Sequence, residues 1–143
     1  MKSVTKDGPN DVLVFCSSSQ CSTSDEKKQS ELEAQGIRVE RLPADTNGRP
    51  DIHEVLRRVG QLEIASLMIE GGSAVNGMAI ASAIVDKIFL YYAPVVMGPG
   101  SIPFATSASV GQLHQVPRVE HLHVHRFGED FAVEGYLRDP YNE

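Results

Sequence analysis

A short apolar run that ends in a carboxylate and two glycines constrains this chain more than any other feature. Ser66–Glu70 has the composition of a buried strand, and a helix predicted over Ser73–Ala83 begins directly after Gly71 and Gly72. In an open parallel sheet, ligands bind at the carboxyl ends of the strands. Glycines allow a ligand to approach the backbone, and the free N–H groups of a helix N-terminus suit a phosphate. The turn is therefore predicted to bind a pyrophosphate, with Glu70 as a ligand for hydroxyl or amine groups.

The same run also has a purely structural interpretation. A strand, two glycines and a helix occur wherever a chain needs a tight turn. The run lacks the three spaced glycines of the dinucleotide fingerprint, and no Gly-Lys-Ser/Thr follows it as in a P-loop. The residues of the turn alone leave both interpretations open.

The remaining pattern predicts an α/β fold with a mostly parallel central sheet flanked by helices and a C-terminal antiparallel hairpin. The predicted strands are Asp11–Cys16, Ile37–Leu42, Ser66–Glu70 and Val85–Ala93. Helices are predicted from a cap at Ser24 or Asp25 to Gln35, with Gly36 as the stop, after a cap at Asp51, and over Ser73–Ala83. A long loop is predicted over Pro94–Ser107, and the hairpin pairs Arg118–Phe127 with Phe131–Leu137 around a turn at Gly128–Asp130.

Three histidines alternate along the first hairpin strand. Alternation places His121, His123 and His125 on one face, opposite Leu122 and Val124. A metal site is one interpretation of that face, but strand residues two apart are separated by about 6.5 to 7 Å, and a solvated face explains the pattern better. No metal is predicted.

Composition limits the class of protein. A chain of 143 residues, 41% of them hydrophobic, can form one core, so a single domain over residues 1–143 is expected. A net charge of −6 without a long basic run argues against nucleic-acid binding. No apolar stretch has the length of a membrane span, and the first ten residues lack the apolar core of a signal peptide, so a cytoplasmic location is expected.

Several stretches, taken in order, resemble one enzyme family. They are Ile69–Ser73, Ala83–Lys87, Ala93–Gly98, Arg126–Asp130 and Glu134–Tyr136. Together they resemble the reductase domain of riboflavin biosynthesis, which is the C-terminal domain of the bifunctional pyrimidine deaminase/reductase and has a dihydrofolate-reductase-like fold. The resemblance covers about residues 11 to 138.

The resemblance implies a reductase that uses NADPH to convert the ribosylamino group of 5-amino-6-(5-phosphoribosylamino)uracil into a ribitylamino group. It implies that Glu70 contacts the substrate. The cofactor contacts that it implies are Gly71, Gly72, Ser73, Ala74, Val75, Asn76, Gly77 and Met78 around the pyrophosphate, and Ser17 and Ser18 at the 2′-phosphate. A solvated turn is the structural alternative for the two serines.

The departures from the family leave other functions open. Strands that precede residue 11 in the family, with further substrate and cofactor contacts, have no counterpart here, and the His-x-Glu and Pro-Cys-x-x-Cys motifs of the zinc deaminase half are absent. The domain is therefore expected to be partial and to be completed by a homodimer partner or by another chain. One alternative is a nucleotide-binding or assembly module without turnover; another is a dihydrofolate-reductase-like enzyme that acts on another pterin or pyrimidine.

Overall fold

The computed structural model describes residues 12–18, 22–106 and 117–139. The chain divides into two compact units, Met1–Leu67 and Met68–Glu143. The first contains β1 (Leu13–Ser17), α1 (Thr23–Ala34), β2 (Arg38–Leu42) and α2 (Ile52–Gln61). The second contains α3 (Ser73–Ala81), β3 (Lys87–Tyr92), β4 (Glu120–Phe127) and β5 (Asp130–Tyr136).

The helices of the first unit begin where short polar side chains can cap them. Asp51 caps α2 as predicted, because its carboxylate accepts hydrogen bonds from the N–H groups of His53 at 2.8 Å and Glu54 at 3.3 Å. The predicted cap of α1 at Ser24 or Asp25 is wrong, because Ser22 occupies the cap position. Ser22 and Asp25 form a reciprocal capping box in which each side chain accepts from the other residue's N–H.

The sheet of the first unit is a parallel pair. β1 and β2 run side by side from Leu13 opposite Arg38 to Ser17 opposite Leu42. Glu40 of β2 accepts hydrogen bonds from the guanidinium of Arg58 in α2, one of them 2.8 Å long from Nη2, and it also pairs with Arg38. The Arg58 hydrogen bonds keep the pKa of Glu40 below its usual value, so the carboxylate that joins β2 to α2 stays charged.

The sheet of the second unit is antiparallel. Its order is β3-β5-β4, and two residues, Gly128 and Glu129, connect β4 to β5. Ala132 in the central strand is fully buried. Gly135 is buried as well, and a Cβ there would lie 2.3 Å from Val119 Cγ1, so the packing leaves no room for a side chain. The predicted hairpin is confirmed, and the strand predicted over Val85–Ala93 joins it as β3.

The structure corrects two predictions about the central sheet. Residues 64–72 form no strand in the described chain, and Met68, predicted to be buried, is 82% exposed. A strand needs a hydrogen-bonded neighbour, and the apolar composition of Ser66–Glu70 does not supply one. The sheet is also not mostly parallel, since among the described residues only β1 and β2 pair in parallel. The coarser prediction, an α/β fold with a C-terminal antiparallel hairpin, is confirmed.

The predicted alternation of the three histidines holds for two of them. His123 and His125 pair with Glu134 and Ala132, so they share one face of the sheet. The pairing is irregular between Glu120 and His123, and His121 takes a φ of 49° there. A bulge adds a residue to one strand, which breaks the two-residue period. His121 therefore does not continue the face of the other two histidines.

Glu134 links all three strands of this sheet. Its carboxylate pairs with Lys87 Nζ of β3 and lies 2.6 Å from Nε2 of His125 in β4. The Lys87 ammonium, and next the His125 ring, lower the pKa of Glu134 below the usual glutamate value. The folded protein therefore keeps Glu134 charged at a pH where the unfolded chain binds a proton.

This linkage predicts how acid affects stability. A carboxyl group whose pKa falls on folding stabilises the protein above its unfolded pKa, and that contribution is lost as the pH drops through the folded pKa. Glu134→Gln should therefore lower the free energy of unfolding near neutral pH and flatten its decline on acidification below about pH 4.3. Urea unfolding at several pH values measures both effects. Glu129→Gln, a change at an exposed turn position, is the control, and an equal flattening in the control would contradict the role of Glu134.

Candidate functional site

The Glu70–Gly72 turn leads directly into α3. Gly72 occupies the cap position with φ −73° and ψ 174°, and no described side chain caps the helix. The first intrahelical bond recorded at this end joins the N–H of Asn76 to the carbonyl of Gly72 at 3.0 Å. The N–H groups of the residues between them have no acceptor within the helix. This end of α3 therefore presents N–H donors and a partial positive charge.

The two glycines of the turn differ in what surrounds them. A Cβ on Gly71 would lie 2.6 Å from Val75 Cβ, so the fold itself requires glycine there. A Cβ on Gly72 would meet no described atom within 4 Å, and the φ of Gly72 is open to every residue type. Packing within the protein thus accounts for a glycine at position 71, but it does not account for the glycine at position 72. The open space at Gly72 is where a ligand could approach the backbone.

The residues predicted to contact ligands around this turn differ in their exposure to solvent. Glu70, Gly72, Ala74 and Val75 are exposed, whereas Ser73, Asn76 and Met78 are partly buried. Gly77 is buried, and the side chain of Asn76 donates a hydrogen bond to the carbonyl of Phe104 at 2.9 Å. The loop after β3 therefore occupies one side of α3. The assignment of Asn76 and Gly77 to the cofactor stays a prediction.

A second candidate region lies in the first unit, between α1 and the parallel strands. An open cavity of about 310 Å³ is lined there by Ser17, Asp25, Lys28 and Arg41, together with apolar side chains of both strands. Arg41 is held by Gln29, whose Oε1 accepts from Nε at 3.0 Å and from Nη2 at 2.7 Å. Lys28, Arg41 and the Ser17 hydroxyl can contact an anion there, and the Asp25 carboxylate of the same cavity also attracts both cations.

The predicted serines are placed at the carboxyl end of β1. Ser17 lines the cavity. Ser18 is exposed and lies just after the end of β1, where its N–H donates to the carbonyl of Leu42 at 2.8 Å. Sequence reasoning missed Lys28 and Arg41. The alternation of β2 offered a signal for Arg41, since it places Arg41 on the same face as the apolar Val39.

The described parts of the chain show neither a metal-binding cluster nor a membrane-spanning helix. Residues 12–18, 22–106 and 117–139 contain no group of three histidine, cysteine, aspartate or glutamate side chains placed to hold a metal ion. His125, a member of the predicted histidine face, contacts Glu134 instead. No helix in these ranges has the length and apolar character needed to cross a membrane.

The fold is similar to that of a solved structure. A pyrimidine reductase-like protein from Corynebacterium diphtheriae superimposes with a TM-score of 0.65 over 89% of this chain and 50% of its own, at 21% sequence identity. At that identity the likeness establishes the fold alone.

Curated proteins with similar sequences come from riboflavin biosynthesis. The riboflavin biosynthesis protein RibD of Bacillus amyloliquefaciens is 30% identical over 117 residues, which are 81% of this chain and 31% of that protein. The 2,5-diamino-6-ribosylamino-4(3H)-pyrimidinone 5′-phosphate reductase of Methanothermobacter thermautotrophicus is 30% identical over 98 residues, covering 68% of this chain and 45% of that protein. The chain thus spans less than half the length of these two relatives.

A sequence model of one family matches most of the chain. The matching family is described as the RibD C-terminal domain, and the match runs from residue 3 to residue 133. It includes the Glu70–Gly72 turn, α3, β3, β4 and the first part of β5. The chain therefore belongs to the RibD C-terminal domain family.

Proposed function

We propose that this chain binds NADPH and reduces the ribosylamino group of a phosphorylated aminopyrimidine, 5-amino-6-(5-phosphoribosylamino)uracil, to a ribitylamino group. The observation that carries the proposal is the uncapped N-terminus of α3 behind Gly72, whose surroundings are open, in a member of this family. Relatives whose names describe reductases of ribosylaminopyrimidine phosphates support the reaction class.

The residues at the start of α3 fit the pyrophosphate of such a cofactor. The N–H groups of Ser73, Ala74 and Val75 are donors without an intrahelical acceptor, and Gly72 has no side chain that would compete for them. The exposure of Ala74 and Val75 keeps this end of the helix accessible. Gly71 would contribute by holding the turn in shape.

Ser17 and Ser18 are proposed to contact the 2′-phosphate that distinguishes NADPH from NADH. Their hydroxyls are donors at the end of β1, and the cavity that Ser17 lines also presents Lys28 and Arg41. Cations near a phosphate monoester strengthen its hydrogen bonds. This setting predicts a preference for NADPH over NADH.

Glu70 is proposed to orient the substrate. Its exposed carboxylate can accept hydrogen bonds from hydroxyl or amino groups of the ring-opened sugar and its aminopyrimidine. NADPH, when bound, would supply the hydride for reduction at C1 of the ring-opened imine form of the sugar, with a proton taken up at the imine nitrogen. The protein's task is to hold C1 in a reactive geometry and to exclude water.

The proposal is tested by titrating the full chain with NADPH and NADH, followed by cofactor fluorescence, with and without the aminopyrimidine phosphate. Oxidation of NADPH that depends on the substrate, measured at the nicotinamide absorbance band, is expected. Binding without oxidation would favour a nucleotide-binding module without turnover. Absence of NADPH binding at millimolar concentration would contradict the proposal.

A further inference from the structure

The cavity of the first unit combines apolar side chains with charged ones. Among the described residues, its apolar lining comes from β1, β2 and α1 and consists of Val14, Cys16, Val39 and Leu32. Its polar lining consists of Ser17, Asp25, Lys28, Gln29 and Arg41. Small-molecule sites range from about 300 to 1,000 Å³, and this cavity of about 310 Å³ lies at the lower end. It therefore suits one ring with its sugar phosphate rather than a whole dinucleotide.

The period of α1 and the alternation of β2 bring these side chains together. Four of them come from α1 and recur at positions i, i+3, i+4 and i+7, which lie on one face of a helix. They are Asp25, Lys28, Gln29 and Leu32. In β2, alternation places Arg41 on the same face as Val39. One helix face and one strand face thus line a single cavity.

The guanidinium of Arg41 is held in place from α1. Its Nε and Nη2 groups donate to Gln29 Oε1 at 3.0 and 2.7 Å. Gln29 Nε2 in turn donates to Glu33 Oε1 at 2.8 Å, so the amide presents its oxygen to Arg41. Two bonds from a planar group to one acceptor fix the direction of its plane. A side chain that is already oriented loses less conformational entropy when it binds a ligand.

The place of Arg41 in its strand indicates which anion it suits. Ser17 is the last residue of β1 and Arg41 is the last but one of β2, so both stand at the carboxyl ends of parallel strands. In α/β folds that bind dinucleotides at this edge, an acidic side chain accepts a hydrogen bond from the ribose 2′-hydroxyl of NAD, and an arginine accommodates the 2′-phosphate of NADP. Arg41 therefore favours a phosphorylated ribose.

We propose that Arg41, positioned by Gln29, selects NADPH over NADH by pairing with the 2′-phosphate, and that the apolar lining of the same cavity covers the adenine ring. This inference deepens the proposed function and rests on it. The hydroxyls of Ser17 and Ser18 donate neutral hydrogen bonds, whereas a guanidinium adds a full charge and charge-assisted bonds, which are roughly twice as strong. The choice of cofactor is thus assigned to Arg41, and Gln29 acts through it.

Asp25 supplies a test in which binding should improve. Its carboxylate lines the same cavity, attracts Lys28 and Arg41, and would repel a phosphate. Its Oδ2 atom accepts from the N–H and the hydroxyl of Ser22 at 3.0 and 2.6 Å, and an amide oxygen can accept the same bonds. Asp25→Asn should therefore tighten the binding of a 2′-phosphate by about two- to fivefold. Damage to the fold cannot produce a gain.

Two nucleotides that differ by the 2′-phosphate alone serve as probes: adenosine 2′,5′-bisphosphate and adenosine 5′-monophosphate. Calorimetry with the full chain, at one fixed salt concentration, measures both dissociation constants. The ratio of the two constants reports the recognition of the 2′-phosphate, and a merely structural role of a residue would leave that ratio unchanged. Fluorescence titration with NADPH and NADH repeats the comparison on the whole cofactors.

Arg41→Gln is expected to weaken binding of the bisphosphate by about 10- to 100-fold, the size of hydrogen bonds between charged groups, with the monophosphate changed less than about twofold. Lys28→Gln should cause a smaller loss of the same kind. Lys27→Gln is the matched control, because Lys27 is the preceding exposed lysine of α1 and does not line the cavity. It should leave both dissociation constants unchanged.

Gln29→Ala tests the positioning role. The change raises the helix propensity of α1, so weakening of the helix cannot explain a loss. It should weaken binding of the bisphosphate by about three- to fivefold and leave the monophosphate unchanged. Added to Arg41→Gln, it should cause no further loss, because Gln29 acts through Arg41. Additive losses would overturn the positioning role.

The assignment of Arg41 would be overturned by equal affinity of the unmutated chain for the two probes, by absence of binding of both at millimolar concentration, or by an unchanged ratio in Arg41→Gln. A weaker binding of the monophosphate in Asp25→Asn, without a gain for the bisphosphate, would instead assign the ribose to Asp25 and overturn it as well. Failure of the proposed reduction is distinguishable, since NADPH would bind without being oxidised while the two probes are still discriminated.

Discussion

Gly72→Asp is expected to weaken NADPH binding by at least about 100-fold without destabilising the protein. An aspartate at a helix cap accepts hydrogen bonds from the N–H groups of the second and third helical residues, which are Ala74 and Val75 here. A pyrophosphate would use the same donors. Hydrogen bonds to charged groups contribute about 1.5 to 3 kcal/mol each, and the new carboxylate also repels the phosphate.

The stability of this variant should be unchanged or slightly higher, since aspartate is a better cap than glycine by a few tenths of a kcal/mol. Opposite effects on binding and on the melting temperature would separate a ligand role from a structural one. Fluorescence titration and thermal unfolding measure the two quantities.

Two matched variants complete the test. Gly72→Ala adds a methyl group to open space and should weaken NADPH binding less than the aspartate does. Gly71→Ala places a Cβ against Val75 and should lower the melting temperature. Wild-type NADPH affinity in Gly72→Asp would show that the turn does not bind the pyrophosphate.

Glu70→Gln is expected to raise the KM for the aminopyrimidine phosphate by about 10- to 100-fold, with the dissociation constant for NADPH changed less than about twofold. The substitution keeps the shape of the side chain but replaces charge-assisted hydrogen bonds with neutral ones, which are roughly half as strong. Glu70 is exposed, so the change should leave stability nearly unaltered.

Steady-state kinetics at saturating NADPH, with a separate NADPH titration, measure the two effects. Glu63→Gln replaces another exposed glutamate and should leave both constants at their wild-type values. Equal losses of substrate and cofactor affinity in Glu70→Gln would contradict the proposed role of Glu70.

Features with local causes were readily predicted from the sequence. Asp51 caps α2 through N–H groups two and three residues away, and the C-terminal hairpin closes at the predicted place, with a turn of two residues, Gly128 and Glu129, where three were predicted. Gly36 ends α1 just after its last turn with a φ of 78°, a conformation that favours glycine. In each case the interacting groups lie within a few residues along the chain.

Features that depend on distant neighbours were not predicted. The apolar composition of Ser66–Glu70 indicated a strand, but strand formation depends on pairing that this stretch does not encode. The sequence also gave no sign that Thr106 would approach Gly77, or that Glu134 would link Lys87 to His125. Such contacts join residues from nine to almost fifty positions apart.

The sequence by itself determined the turn and the family: a carboxylate, two glycines and a helix start follow one another along the chain, and the downstream stretches match in order. The folded conformation of the turn decided which glycine is open to a ligand. Gly71 and Gly72 are indistinguishable as letters, and they differ because Val75 packs against only the first of them. The same holds for Asn76, whose partner, the carbonyl of Phe104, lies 28 residues away and reaches it only through the path of the loop.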